Sequence, residues 1–331
     1  MARNVLPCLT EGAPMQISII LCTRNRADSL QRTLDSATRM RVPAGLDWEF
    51  VVVDNGSTDH TAQVVAEFEG RLPVRRVVET TAGLSNARNC GIANARGKYI
   101  CWTDDDVLID ENWLAAYAEA FARHPEASVF GGVVEPVFEI EPPGWWPANK
   151  SWLSRIFAAR DFGPKEIPLT HEGEVLPYGA NFAVRGDDQR ALRYDPELGV
   201  GPQHKRMGEE TVVILALLDK GGTGYWTPGA RVKHLIPERR ISLKYVGEYY
   251  RSLGETWANL SARNVDTMGA PIPPGGRRYK GMPVWLMRRA AVSWMKASVK
   301  RLFNATGDWL KPWTDYQYCA GALAYCRNAA R

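Results

Sequence analysis

No two of the six cysteines form a Cys-x-x-Cys pair: Cys8, Cys22, Cys90, Cys101, Cys319 and Cys326 are scattered over 331 residues. Such scatter excludes a disulfide framework and a paired structural zinc site, so the six are read as free thiols. Long apolar runs are missing as well. The longest, residues 212–218 (VVILALL), is seven residues long, against about 18 needed to span a bilayer. The first 15 residues place Arg3, Pro7, Glu11 and Pro14 where a secretory signal needs an apolar block, so a cytoplasmic location is expected. Internal repeats and low-complexity tracts are also absent. The composition, 45% hydrophobic and 24% charged, is that of an ordinary globular chain with material for roughly two domains of about 150 residues. Tryptophan stands out with 12 residues, and charge is unevenly spread. From Arg231 onward there are 18 Lys/Arg against 6 Asp/Glu, a balance of +12, whereas the preceding chain has 23 against 31, a balance of −8. The two parts should therefore meet different partners.

The first hundred residues alternate between short β-branched apolar runs and helically spaced segments, the pattern of a parallel sheet with crossover helices. Strands are predicted over residues 16–22, 48–54, 74–79 and 98–103, with helices over 27–40 and 84–95 and a further helix after the Asn55-Gly56 turn. A helix over 110–124 follows, then a strand over 128–138 whose Gly131-Gly132 pair suggests a bulge or a close approach. Residues 141–177, rich in Pro, Gly and Trp, lack a sustained period and are read as a long surface loop. A strand over 176–185, a helix over 208–220 and a strand over 224–234 complete this part. Beyond residue 241 come helices studded with Arg, Lys and Trp. In residues 284–303, Val284, Met287, Ala291, Met295 and Leu302 fall on one side and Arg289, Ser293, Lys296 and Lys300 on the other.

Asp104, Asp105 and Asp106 sit where a buried strand stops, at the sheet edge where open α/β folds bind ligands. Three adjacent carboxylates repel one another and need a cation; as hard oxygen ligands they suit Mg2+ or Mn2+, which would also draw a phosphate. The alternative is that they cap a helix or face water. Asp54 ends another strand at the same edge, either to accept from a base N–H or a ribose hydroxyl or as an Asx-turn residue. Arg88 could approach a diphosphate or hold the acidic cluster by bidentate pairing. Trp145 and Trp146 could offer stacking faces to a sugar or plug their loop onto the core. Tyr178 and Asn181 lie in sequence between that loop and Glu209-Glu210.

Residues 17–26 (ISIILCTRNR), 50–61 (FVVVDNGSTDHT), 83–100 (GLSNARNCGIANARGKYI), 102–107 (WTDDDV), 177–184 (PYGANFAV) and 208–211 (GEET) resemble, in this order, the motifs of family 2 glycosyltransferases. The resemblance implies an A-type glycosyltransferase fold, a mostly parallel α/β sheet flanked by helices, with a helical C-terminal extension. It implies inversion at the anomeric carbon of a UDP-, TDP- or GDP-sugar, with Mn2+ or Mg2+ as cofactor. Carried over by motif, Asp54 would contact the nucleobase, and Thr23 and Arg26 would lie beside the nucleoside. Asp104 with Asp106 would form the Asp-x-Asp pair, with Asp106 the metal ligand. His234 resembles an additional metal ligand or diphosphate contact, and Asn181, in the motif before the acidic pair, would be a contact for donor sugar or acceptor. Glu209-Glu210 matches the family's acidic pair, Glu210 being the general base where Asp is usual; Cys22 and Arg24 also depart from the usual Pro and Tyr.

On this reading residues 1–15 are a tail, 16–240 a catalytic domain with a nucleotide-binding half (16–110) and an acceptor half (111–240), and 241–331 a basic helical region. The setting implied is bacterial surface polysaccharide or glycoconjugate assembly on a carbohydrate or lipid-linked acceptor. The basic helices are either a cap on the catalytic domain or a contact with the anionic inner face of the membrane; no motif supports nucleic acid. The alternatives are a nucleotidyltransferase making nucleotide sugars, which would want a glycine-rich loop where Thr23-Arg24-Asn25-Arg26 has none, and a non-catalytic nucleotide-sugar-binding protein.

Overall fold

The computed structural model describes residues 15–170, 175–265, 271–273, 275–303 and 307–330. The N-terminal tail up to residue 14, with Cys8, lies outside the described residues.

Strands β1 (Ile17–Thr23), β2 (Trp48–Asp54), β3 (Val74–Val78) and β4 (Tyr99–Asp104) alternate with helices α1 (Ala27–Ala37), α2 (Thr61–Phe68) and α3 (Leu84–Asn94). There follow β5 (Val107–Ile109), α4 (Trp113–Arg123), β6 (Val129–Phe138), α5 (Trp146–Leu153), β7 (Asn181–Arg185), α6 (Gly186–Ala191), α7 (Glu209–Asp219) and β8 (Gly224–Ile236). The C-terminal part comprises α8 (Leu243–Ala262), the short pair β9 (Arg278–Tyr279) and β10 (Met282–Pro283), α9 (Val284–Phe303) and α10 (Leu310–Asn328).

Strands β1 to β8 form one sheet in the order β3-β2-β1-β4-β7-β6-β8-β5. The first four are parallel throughout. The second half is mixed, because β7 runs antiparallel to both β4 and β6, and β5 antiparallel to β8. The period-2 pattern of β1 and β2 explains the layering. Ile17, Ile19, Leu21, Phe50 and Val52 pack on one face with residues of α1, α2 and α4, while Ile20, Val51 and Val53 pack on the other with Ala87 and Ile92 of α3 and Val213 and Ile214 of α7. Both faces are buried, as the unbroken apolar runs demand.

The glycine pair in β6 marks a real irregularity. Register against β8 jumps from Gly132 opposite Thr227 to Val133 opposite Arg231. The Asn181 amide fills the gap, Nδ2 donating to Val133 O and Ala230 O at 2.9 Å each. A side chain at 132 would collide with that amide and with the Ala230 carbonyl.

Two sequence expectations shift here. Residues 141–177 are not wholly loop: α5 and a single 3-10 turn (Ser154–Phe157) lie within them, and the strand expected over 176–185 is reduced to β7. The five cysteines outside the tail are free. In the C-terminal part, α8 packs beneath α5 through Val246 and Tyr250, and α9 and α10 join it through Leu286, Ala290, Cys319 and Ala322. Among the described residues no helix is long and apolar enough to cross a membrane.

Candidate active site

Register alone brings the acidic residues together. Thr23 stands opposite Asp54 across β1 and β2, and Cys22 opposite Asp104 across β1 and β4, so three strand ends share one edge. The chain turns at Asp105-Asp106 into β5, whose Val107 pairs with His234 of β8, and Leu235 N donates to Asp106 O at 2.9 Å. Asp106 and His234, 128 positions apart, are thereby neighbours by sheet geometry.

Asp106 gathers cations. Its Oδ2 accepts from Arg26 Nη2 at 2.8 Å and pairs with Arg240 Nη2 at 3.1 Å, and Oδ1 lies 3.3 Å from His234 Nε2. Burial works against its charged form, but His234, Arg240 and Arg26 outweigh it and hold the carboxyl below the usual carboxylate range. Asp105 accepts from Thr23 Oγ1 at 2.7 Å and pairs with Arg26 Nη1 at 2.9 Å. Burial still pushes Asp105 up to about 7 against the pull of Arg26. Burial, with the neighbouring Asp106 charge, also raises Asp104. Thr23 and Arg26, expected beside a nucleoside, are thus engaged with the acidic turn.

His234 is oriented from behind. Its Nδ1 lies 2.7 Å from Phe157 O, a carbonyl that can only accept, and its Nε2 lies 2.7 Å from Arg240 Nη1, a guanidinium that can only donate. The Phe157 carbonyl therefore places a ring proton on Nδ1, and Nε2 is the nitrogen turned toward the Asp106 carboxylate. An imidazole nitrogen and a carboxylate oxygen, here 3.3 Å apart, are ligand types that Mn2+ or Mg2+ would accept, and in this structure the Arg240 guanidinium pairs with both side chains. Among the described residues no group of three or more His, Cys, Asp or Glu forms a metal cage, so other ligands would have to come from water and the substrate.

Asp54 is buried and fully held. Arg76 Nε and Nη2 donate to its Oδ2 at 2.9 and 2.7 Å, and Ser57 N donates to Oδ1 at 2.8 Å. Burial would raise its carboxyl, but Ser57 and Arg76 outweigh that and lower it. Of its two sequence readings, the turn is the one seen here: Oδ1 holds the backbone of Ser57 at the turn that follows β2.

Across the cleft, Gly208 in a left-handed conformation (φ 85°) starts α7, which places two carboxylates at its first turn. Glu209 points inward and pairs with Arg88 Nη1 at 3.3 Å. Burial and the Glu210 charge push Glu209 up to about 7 in spite of Arg88. Arg88, 4% exposed, also packs over the Trp102 and Tyr194 rings at 5.6 and 5.2 Å. Arg88 thus meets an acidic residue, Glu209, through one nitrogen and not by bidentate pairing with the Asp104–Asp106 turn, and it lines the cleft. Both glutamates, Glu209 buried and Glu210 half-buried, line with Arg88, Asp104, Tyr178 and His234 a cleft of about 830 Å³. Arg160 lies 3.9 Å over the Tyr178 ring. The far end of the cleft is built by Leu253 and Trp257 of α8, Trp285 of α9 and Tyr318 of α10.

Three expected sugar contacts do not survive. Asn181 is 0% exposed and its hydrogen bonding is complete: Oδ1 accepts from Trp113 Nε1 and Tyr117 Oη at 2.8 Å, and Nδ2 makes the two bonds across the bulge. It is a core tie with nothing left for a sugar. Trp146 is buried edge-on against Phe138 and Phe157, and Trp145 packs on the same cluster, so these tryptophans plug α5 onto the core and line no part of the cleft. Conversely, Arg76 and Arg240 were missed. Arg75-Arg76 interrupting an apolar strand, and Arg239-Arg240 closely following His234, were the available signals.

The family described as Glycosyl transferase family 2 matches residues 18–184. Among curated proteins, Succinoglycan biosynthesis protein ExoM of Rhizobium meliloti (strain 1021) is 28% identical over 254 residues, 76% of this chain and 77% of that one. Poly-beta-1,6-N-acetyl-D-glucosamine synthase of Staphylococcus epidermidis is 30% identical over 117 residues, 35% of this chain and only 28% of that protein. Among solved structures, mannosyltransferase PcManGT from Pyrobaculum calidifontis, in complex with GDP-Man and Mn2+, superposes with a TM-score of 0.57 at 20% identity, over 94% of this chain and 88% of that one. At that identity the likeness establishes the fold.

Proposed function

This chain belongs to glycosyl transferase family 2, and we propose that within it the protein is a metal-dependent, inverting enzyme that moves a sugar from a nucleoside-diphosphate donor to an acceptor hydroxyl. The observation that carries this reading is the single cleft shared by Asp104 and His234 on the sheet edge and Glu210 on the opposite wall. Donor and acceptor can therefore meet between a cation site and a base.

In this reading the nucleobase is received at Asp54, whose carboxylate Arg76 keeps in place, and the nucleoside lies along Thr23 and Arg26. Asp106 and His234, with Asp104 beside them, hold Mn2+ or Mg2+. When bound, that ion supplies Lewis-acid neutralisation of the diphosphate charge. Arg240 and Arg26 keep the Asp106 carboxylate anionic until the ion arrives. Glu210 takes the proton from the acceptor hydroxyl while that oxygen attacks the anomeric carbon opposite the departing diphosphate, so configuration inverts. Closure by the substrates must exclude water to make Glu210 an effective base. Tyr178 and the aromatic far end of the cleft receive the acceptor, a carbohydrate or lipid-linked glycan of bacterial surface assembly. The relatives' names, one for succinoglycan and one for poly-beta-1,6-N-acetyl-D-glucosamine, support that setting.

The test is a thermal-shift panel of UDP, GDP, TDP, CDP and ADP with and without Mn2+, since a ligand of the native state raises Tm by mass action. A Mn2+-dependent shift with one nucleotide is expected, and Asp106→Ala should abolish it while the unliganded protein stays folded. Full retention of the Mn2+-dependent shift in that variant overturns the metal assignment. Donor hydrolysis by the wild type and its loss in Glu210→Gln separates an enzyme from a binding protein.

A further inference from the structure

Helix α9 has two apolar faces, and the fold uses one. Leu286, Ala290 and Ala297 are buried, Leu286 and Ala290 in the cluster shared with α8 and α10. On the opposite side of the helix run Trp285, Val292, Met295, Val299 and Leu302, spaced 7, 3, 4 and 3 residues apart, a spacing that keeps them in one stripe. They are 37, 43, 51, 55 and 80% exposed. With Trp294, six of the eleven large apolar side chains exposed among the described residues lie on this one helix, so the exposure is concentrated and marks an interaction surface.

Charge identifies the occupant. Between Asp266 and Asp308 the sequence has no acidic residue and eight basic ones, Arg277, Arg278, Lys280, Arg288, Arg289, Lys296, Lys300 and Arg301. Arg288 lies within the stripe, Lys296 and Lys300 run along its edge, and all three are exposed. A second copy docking here would bring eight more cations against these with no carboxylate between them. An anionic bilayer instead offers hydrocarbon for the stripe and lipid phosphates for the flanking cations.

We propose that α9 is a membrane-docking helix that lies in the interface of an anionic bilayer, its outward stripe inserted and Lys296 and Lys300 at headgroup level. It is not apolar enough to cross. Trp285 also lines the cleft, so docking through this stripe sets the apolar end of the cleft against the leaflet. The inference does not depend on the transferase reading.

The experiment is co-sedimentation of the full chain with phosphatidylcholine vesicles, with and without about one third phosphatidylglycerol, at low and high salt. The wild type should partition onto the anionic vesicles and release in high salt. Val299→Glu/Leu302→Glu and Lys296→Glu/Lys300→Glu should each lower partitioning at least about tenfold, with Tm and the nucleotide-induced shift unchanged. Equal binding to neutral and anionic vesicles, binding to neither, or wild-type binding by both variants overturns the proposal. So does a wild-type dimer in light scattering that the variants dissociate, which would make a second copy the occupant.

Discussion

Glu209 and Glu210 are adjacent in sequence and unequally buried. Both line the cleft, but Glu209 is buried against Arg88 at 3.3 Å, whereas Glu210 is half-buried. The two isosteric substitutions should therefore register in different measurements. Glu209→Gln leaves Arg88 a buried cation stacked on Trp102 and Tyr194 without its carboxylate; breaking one side of a buried pair costs about 3–5 kcal/mol, so Tm should fall markedly. Glu210→Gln removes a proton acceptor and no packing, so Tm and the nucleotide shift should persist while kcat drops about 10²–10⁴-fold. A Glu210→Gln protein with undiminished turnover would take the base role away from it. At this scale the acidic residues were legible because a carboxylate triplet ending an apolar strand is a local pattern. The direction of a side chain is not local. Asn181 and Trp146 sit in the right stretches of sequence but are turned into the core by Trp113, Tyr117, Phe138 and Phe157, and Arg240 reaches Asp106 only once β8 lies beside β5.

At the scale of elements, the far ends of the parallel strands are tied by one buried carboxylate. Glu49 of β2 accepts from Ser18 Oγ of β1 at 2.7 Å, from Arg75 Nε of β3 at 3.0 Å and from Arg96 Nη2 after α3 at 2.7 Å. Burial alone would raise Glu49, but Arg96, Ser18 and Arg75 bring it from 4.5 down to about 2. A depressed carboxyl stabilises the fold above its unfolded pKa and loses that contribution as pH falls through the folded one. The window is thus pH 4.5 down to about 2, and the contribution above it is about 3 kcal/mol. Thermal melts of wild type and Glu49→Gln should differ most near neutral pH and converge as pH drops through that window; parallel Tm profiles would show that the knot does not hold the strands. The strands it joins were readable from alternation and turn residues, since burial on both faces leaves an unbroken apolar run. Helix α9 was less so: its sequence carries an inward and an outward apolar stripe, and only packing on α8 and α10 shows which is covered. The sequence grouping of Val284, Met287, Ala291, Met295 and Leu302 mixes residues of the exposed side with half-buried ones.

For the molecule as a whole, the cleft has two makers. The sheet edge and α7 supply the charged end, and α8, α9 and α10 the aromatic end. Their junction depends on how closely α8 and α10 approach, and glycine sets that distance: Gly254 of α8 lies against the Tyr318 backbone and Gly321 of α10 against the Arg251 backbone. A methyl group at 254 would meet the Tyr318 carbonyl, a backbone atom that cannot rotate aside, so Gly254→Ala must push the helices apart. Overpacking of this kind costs about 1–3 kcal/mol, and Tm should fall accordingly. The functional consequence should be one-sided. Leu253, Trp257 and Tyr318 lie beside the strained contact, whereas Asp54, Asp106 and His234 are fixed by strand register remote from it. Acceptor KM should therefore rise in Gly254→Ala while the Mn2+-dependent nucleotide shift stays at its wild-type size. Loss of nucleotide binding in step with acceptor binding would mean that the helical part holds the donor site as well, and that the two ends of the cleft are one mechanical unit.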